Sequence, residues 1–141
     1  MRALALDVGD RRIGVALSDP TGLIASPLTI IRRTSERQDH AAIASLAREN
    51  GVETVVIGLP RTLRDEIGPQ AQRVMRFGDR LAEAVGVPVT YWDERFSTVE
   101  AETIGGTRRG RRGSSRSPFV DDLAAAVILQ SYLDSRRPAT S

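Results

Sequence analysis

The 141-residue chain has no cysteine, no lysine, a single histidine, and only 4% aromatic residues. Without cysteine there is no disulfide, no thiolate metal site and no cysteine nucleophile. Without lysine there is no P-loop lysine, no Schiff base and no lysine general base. All twenty basic residues are therefore arginine, a usage that a GC-rich coding genome explains without any function. No apolar run approaches the ~20 residues that a membrane-spanning helix needs, so no membrane partner is expected. The short apolar run Ala3–Leu6 meets Asp7, Asp10, Arg11 and Arg12, which is too short for a signal-peptide core. A cytoplasmic protein is the expectation.

What is present fits one globular domain. Hydrophobic residues make up 40% of the chain and charged residues 27%, and a domain of ~150 residues buries roughly 70% of the surface its unfolded chain exposes. Twenty arginines against eighteen acids give a net +2, but the charge is uneven. Arg108, Arg109, Arg111, Arg112 and Arg116 lie between Gly105 and Pro118 with no acid among them, so the remainder of the chain is −3. A weakly acidic body carries a strongly basic segment. Residues 1–135 are expected to form one domain with a mobile arginine-rich loop over 105–118. Residues 136–141 are expected to be a disordered tail.

Hydrophobic patterning orders the elements. Ala3–Asp7 and Ile13–Ser18 read as two strands of a hairpin around the turn Gly9-Asp10-Arg11-Arg12. Leu23–Ile31 reads as a third strand in which Pro27 marks a bulge or an edge. Asp39–Asn50 is a helix with Ile43, Leu46 and Ala47 on one face. Glu53–Gly58 is a buried strand ending in the Gly58-Leu59-Pro60 corner. Gln70–Val85 is a second helix with Val74, Phe77, Leu81 and Ala84 on its apolar face, and Pro88–Trp92 is a fifth strand. Ser97 or Thr98 caps a short helix to Ile104. Asp121 opens a final helix that is apolar around most of its girth and so is buried. Three meandering strands followed by αβαβα imply an α/β fold. Its five-stranded sheet is mixed, an antiparallel meander plus parallel strands, with helices on both faces.

Three acids stand out by position. Asp7 ends the first strand, Glu94 follows the fifth, and Asp121 starts the buried helix. Acids at strand ends face the crevice where ligands bind on such sheets. Three converging carboxylates repel unless a cation sits among them, and hard oxygen donors suit Mg²⁺ or Mn²⁺ rather than Zn²⁺. Paired ions held in this way are a standard device for phosphodiester hydrolysis. Plainer readings stand beside this one: Asp7 as part of an Asx turn with Asp10, Asp121 as an N-cap, and Glu94 in a surface ion pair with Arg95. Of the remaining polar residues, His40 reads as a solvated helix residue, and Ser97 and Thr98 read as caps rather than nucleophiles. Trp92 reads as core packing at a strand end rather than a stacking platform for a base.

Four blocks carry a family resemblance. They are Leu6-Asp7-Val8-Gly9-Asp10-Arg11-Arg12-Ile13-Gly14-Val15-Ala16-Leu17-Ser18-Asp19, Val56-Ile57-Gly58-Leu59-Pro60, Asp93-Glu94-Arg95-Phe96-Ser97-Thr98, and Val120 through Gln130. In this order the chain resembles the YqgF/RuvX family of pre-16S rRNA nucleases from Ala3 to about Leu133. The resemblance implies an RNase H-like fold related to Holliday-junction resolvases, and endonuclease chemistry with Mg²⁺ or Mn²⁺, two ions. It implies a role in maturing the 5′ end of 16S rRNA. The family's acidic set falls on Asp7, Glu94 and Asp121, while Asp122 replaces a lysine or small polar residue and is not counted. Arg11-Arg12 fills a basic pair often led by lysine, and Asp65-Glu66 stands where an Asp-Gly turn is common.

The expected partners are structured RNA (pre-16S rRNA) and, as the enzymatic alternative, branched DNA cut by a resolvase, with the chain a monomer or homodimer. Arg11, Arg12, Arg95 and the five arginines Arg108, Arg109, Arg111, Arg112 and Arg116 are the expected backbone-gripping residues. A non-catalytic RNA-binding assembly factor is the second alternative. A nucleotide-clamping hairpin of the sugar kinase/Hsp70/actin type is the third, for which one domain of this length is too short.

Overall fold

The computed structural model describes residues 1–60, 67–94 and 118–136, with the backbone alone for 118–122. Five strands, β1 (Ala3–Val8), β2 (Arg12–Ser18), β3 (Ala25–Arg32), β4 (Thr54–Leu59) and β5 (Val89–Asp93), form one sheet in the order β3-β2-β1-β4-β5. β1–β2 and β2–β3 are antiparallel, while β1–β4 and β4–β5 are parallel. The mixed sheet expected from the element order is therefore formed. The β2–β3 register slips between Val15 and Ala16, opposite Thr29 and Pro27. The bulge at Pro27 follows from a residue that cannot donate to a ladder.

Side-chain alternation assigns the two faces. Leu4 and Leu6 of β1, with Val55, Ile57 and Leu59 of β4, join a core under α1 (Glu36–Glu49) and α2 (Pro69–Val85). Ala3 and Ala5, with Ala16 and Val56, face α3 (Pro118–Ser135). Alanines on both sides, with Ala125 and Ala126 from the helix, let α3 lie close on the sheet. Gln130 fastens it to the meander: its Oε1 accepts from Ala25 N at 2.9 Å and its Nε2 donates to Leu23 O at 2.9 Å. Among the described residues no helix is long and apolar enough to cross a membrane.

Several local expectations are corrected. α1 begins at Glu36 rather than Asp39, because Ser35 caps it by accepting from Gln38 N at 3.2 Å. Asp39 and His40 consequently sit inside the helix and are buried. His40 is not solvated: it is 7% exposed, stacked edge-on to Phe77 with ring centroids 4.6 Å apart. Leu23 and Ile24 precede β3 instead of opening it, because their amides are taken by Asp19 Oδ1 at 2.8 and 2.9 Å. The Thr21 hydroxyl, together with the amides of Ile24, Leu23 and Thr21, donates to Asp19 and holds its carboxyl well below the usual carboxylate range. Ala84 is exposed, so the buried stripe of α2 runs through Ala71, Val74, Phe77, Gly78 and Leu81. α3 starts three residues before Asp121, so Asp121 lies within the first turn and is not its N-cap.

Candidate nuclease site

The carboxyl ends of β1 and β5, on either side of β4, carry the candidate site. Asp7 pairs in register with Gly14, and Gly9 N donates to Arg12 O at 2.8 Å to close the hairpin turn. A Cβ on Gly9 would come within 3.0 Å of the Arg12 carbonyl, so the turn admits only glycine without shifting. By strand alternation Asp7 shares the α3 face with Ala3 and Ala5.

Glu94 follows β5 immediately and reaches the same face. A Cβ on Gly58 would lie 3.1 Å from Glu94 Oε2, 3.2 Å from Glu94 Cγ and 2.5 Å from Ile128 Cδ1 of α3. Glycine at position 58 is therefore the vacancy in β4 into which the Glu94 side chain and Ile128 both fit. In the sequence this residue stands only as part of the Gly58-Leu59-Pro60 corner. Its site-shaping role was legible as the one small residue in an otherwise apolar buried strand.

Electrostatics couples the two acids. Burial, then the negative charges of Asp7 and Asp93, push Glu94 from 4.5 up to about 7. A half-buried carboxyl raised by a like-charged neighbour is the arrangement a divalent cation relieves. Among the described residues no group of three metal-ligating side chains comes together. Asp7 and Glu94 are two of the expected three, and the side chain of Asp121 lies outside the described residues.

Trp92, one residue before Asp93, serves packing: its Nε1 donates to Ser131 Oγ at 3.0 Å and its ring meets Tyr132 edge-on at 5.6 Å. Arg11 and Arg12 are exposed on the hairpin turn beside Asp7. The turn is braced from behind by Arg33, whose Nη1 donates to Gly9 O at 2.8 Å and whose Nε donates to the buried Asp39 Oδ2 at 3.3 Å. Arg95, Arg108, Arg109, Arg111, Arg112 and Arg116 lie outside the described residues, as do Asp65, Glu66, Ser97 and Thr98.

On the opposite face of the sheet, Val8, Gly9 and Asp10 form one wall of a cleft of about 290 Å³. Arg33 and three arginines of α2, Arg73, Arg76 and Arg80, form much of the rest. Sequence reading did not single out these α2 arginines. Their spacing of three and four residues along one helix stripe was the available signal.

A protein of Caldanaerobacter subterraneus subsp. tengcongensis named "Putative pre-16S rRNA nuclease" is 47% identical over 139 residues, covering 97% of this chain and 99% of its own. One of the same name from Desulforudis audaxviator is 49% identical over 138 residues, covering 97% and 96%. The fold matches Thermus thermophilus RuvC in complex with a Holliday junction substrate, with a TM-score of 0.64, 18% identity and 96% of each chain covered. It also matches the fowlpox virus Holliday junction resolvase, with a TM-score of 0.54, 13% identity and coverage of 96% and 99%. The expected RNase H-like fold is thus the fold observed. The model of the RuvX family, described as Holliday junction resolvase, matches residues 1–135, and the chain belongs to that family.

Proposed function

We propose that the chain is a divalent-metal-dependent endonuclease that hydrolyses phosphodiester bonds in the 5′ precursor segment of 16S rRNA. The observation that carries this reading is the Asp7–Glu94 pair. Two carboxylates share the α3 face at the strand ends, and burial, then the charges of Asp7 and Asp93, raises Glu94 to about 7. A pure nucleic-acid binder gains nothing from acids aimed at phosphates, so the pair argues against the assembly-factor alternative. The relatives' shared name supplies the RNA substrate class.

Asp7, Glu94 and Asp121 are the proposed catalytic and metal-holding residues. Their donor set of carboxylate oxygens fits Mg²⁺ or Mn²⁺, and two ions are proposed. When bound, such ions supply Lewis-acid stabilisation of the charge that builds on the scissile phosphate. Position 121 falls seven residues before Ile128, about 10 Å along the helix. Along α3, Trp92 meets Ser131, while Glu94, two residues further on, converges with Ile128 over Gly58. The helix therefore advances towards its N-terminus as β5 advances towards Glu94, which supports Asp121 as the third member. Gly58 keeps room for the Glu94 side chain, and Ile128 closes one side of it against water. Arg11 and Arg12 are proposed to position the phosphate backbone, with Arg95, Arg108, Arg109, Arg111, Arg112 and Arg116.

A resolvase acting on branched DNA is the second reading, favoured by the description of the family model. The test is cleavage of a 16S rRNA precursor and of a four-way DNA junction, side by side, with Mg²⁺ or Mn²⁺. Cleavage confined to the RNA supports the first reading. Cleavage confined to the junction overturns it in favour of the second.

A further inference from the structure

The cleft behind the hairpin turn has a charge distribution that the fold itself does not require. Arg73, Arg76 and Arg80 lie three and four residues apart on α2, and like charges at those spacings destabilise a helix. Arg80 is relieved by Glu36, with Nη1 3.0 Å from Oε2. Arg33 is committed to Gly9 O and Asp39. Arg73 and Arg76 have no ion pair among the described residues and are exposed. Four arginines against Asp10 and Glu36 leave the lining positive, and that excess sits on Arg73 and Arg76. Beneath them Val74 and Phe77 give an apolar floor, with Arg33 stacked 5.1 Å over the Phe77 ring. A concave shape, a surplus of guanidinium groups in the lining and an apolar floor together strengthen recognition of an anion.

We infer that this cleft binds a phosphate group of a nucleic-acid strand through Arg73 and Arg76, on the sheet face opposite to Glu94. Val8, Gly9 and Asp10 line it, and Asp7 is the residue before them, so a strand cut at Asp7 and Glu94 passes around the hairpin turn to reach it. This deepens the nuclease reading by adding a second grip on the strand and rests on that reading for the strand's identity. A free nucleotide or inorganic phosphate offers the same chemistry.

The experiment uses the full chain in EDTA, so that binding is read without cleavage. Fluorescence anisotropy follows a labelled single-stranded RNA across a salt series for wild type, the Arg73→Gln/Arg76→Gln double variant and an Arg48→Gln control on the exposed far end of α1. The double variant is expected to bind at least tenfold more weakly, and its log–log salt slope to fall by about 1.4, some 0.7 for each lost phosphate contact. Arg48→Gln is expected to match wild type. A double variant with wild-type affinity and slope overturns the inference. Ribonucleoside monophosphate and inorganic phosphate are titrated in parallel. If either binds wild type more tightly than the RNA and loses affinity in the double variant, the phosphate site stands but its occupant is not a strand, and that half of the inference is overturned. If wild type cleaves no substrate while RNA binding still depends on Arg73 and Arg76, the nuclease reading falls and the cleft survives.

Discussion

Replacing Glu94 by glutamine should stabilise the metal-free protein above neutral pH while abolishing its activity. Burial and the charges of Asp7 and Asp93 raise the carboxyl from 4.5 to about 7. Each pH unit of such a rise corresponds to roughly 1.4 kcal/mol, so holding Glu94 ionised at pH 8 costs the fold about 3 kcal/mol at most. Glu94 is partly open to solvent, and screening brings the expected figure to about 1–2 kcal/mol. The direction with pH follows from linkage. Below pH 4.5 the carboxyl is neutral in both states and the penalty is absent. Between 4.5 and about 7 the unfolded chain ionises first, so stability falls as pH rises, and above 7 the loss is complete. Glutamine keeps the shape and removes the charge. The assay is thermal unfolding of wild type and Glu94→Gln in EDTA from pH 4.5 to 8. At pH 8 the variant should melt about 3–8 °C higher, and near pH 4.5 the two should coincide. Adding Mg²⁺ or Mn²⁺ at pH 8 should raise wild type towards the variant and leave the variant where it was. A variant no more stable than wild type at pH 8, or a gap that persists unchanged at pH 4.5, refutes the raised carboxyl of Glu94 on which the reasoning rests.

Gly58→Ala forces a Cβ to 2.5 Å from Ile128 Cδ1 and 3.1 Å from Glu94 Oε2. It should cost about 1–3 kcal/mol in denaturant unfolding and lower the cleavage rate, because overpacking here displaces a proposed catalytic group. Asp39→Ala strands Arg33 behind the hairpin turn and frees Thr34 N. Chemical denaturation should register a loss of about 2–4 kcal/mol. Trp92→Phe leaves Ser131 without its indole donor and should cost about 1 kcal/mol with RNA affinity unchanged. A large loss of affinity there would instead make Trp92 a stacking residue.

Much of the fold is legible in the sequence because the sheet is a run of short apolar segments punctuated by Gly, Pro and Asp. The order of those segments already requires a meander joined to parallel strands. The candidates Asp7 and Glu94 stand out in the sequence for related reasons: Asp7 breaks the apolar run of β1 near its end, and Glu94 follows the acid that ends β5. What escaped depends on contacts across the chain. Ser35 and Gln38 carry the capping signal that moves α1 back to Glu36, yet their polar flanks resemble a loop. His40 carries no local mark of burial, and its edge-on contact with Phe77 of α2 is one the chain makes only when folded. Arg73, Arg76 and Arg80 carry no mark in the sequence beyond their spacing, and the hairpin turn that forms the opposite wall of their cleft is distant in the chain. Gly58 reads as a strand-end glycine until Glu94 and Ile128 are placed beside it.

The most direct measurement is the rate at which the wild-type chain, Asp7→Asn and Glu94→Gln cleave a 16S rRNA precursor with Mg²⁺ or Mn²⁺, each variant first confirmed as folded. The expected result is metal-dependent cleavage by wild type and a loss of at least about a hundredfold in both variants, the scale of removing a group that stabilises transition-state charge. Cleavage by both variants at the wild-type rate would contradict the assignment of Asp7 and Glu94 as the centre of the site.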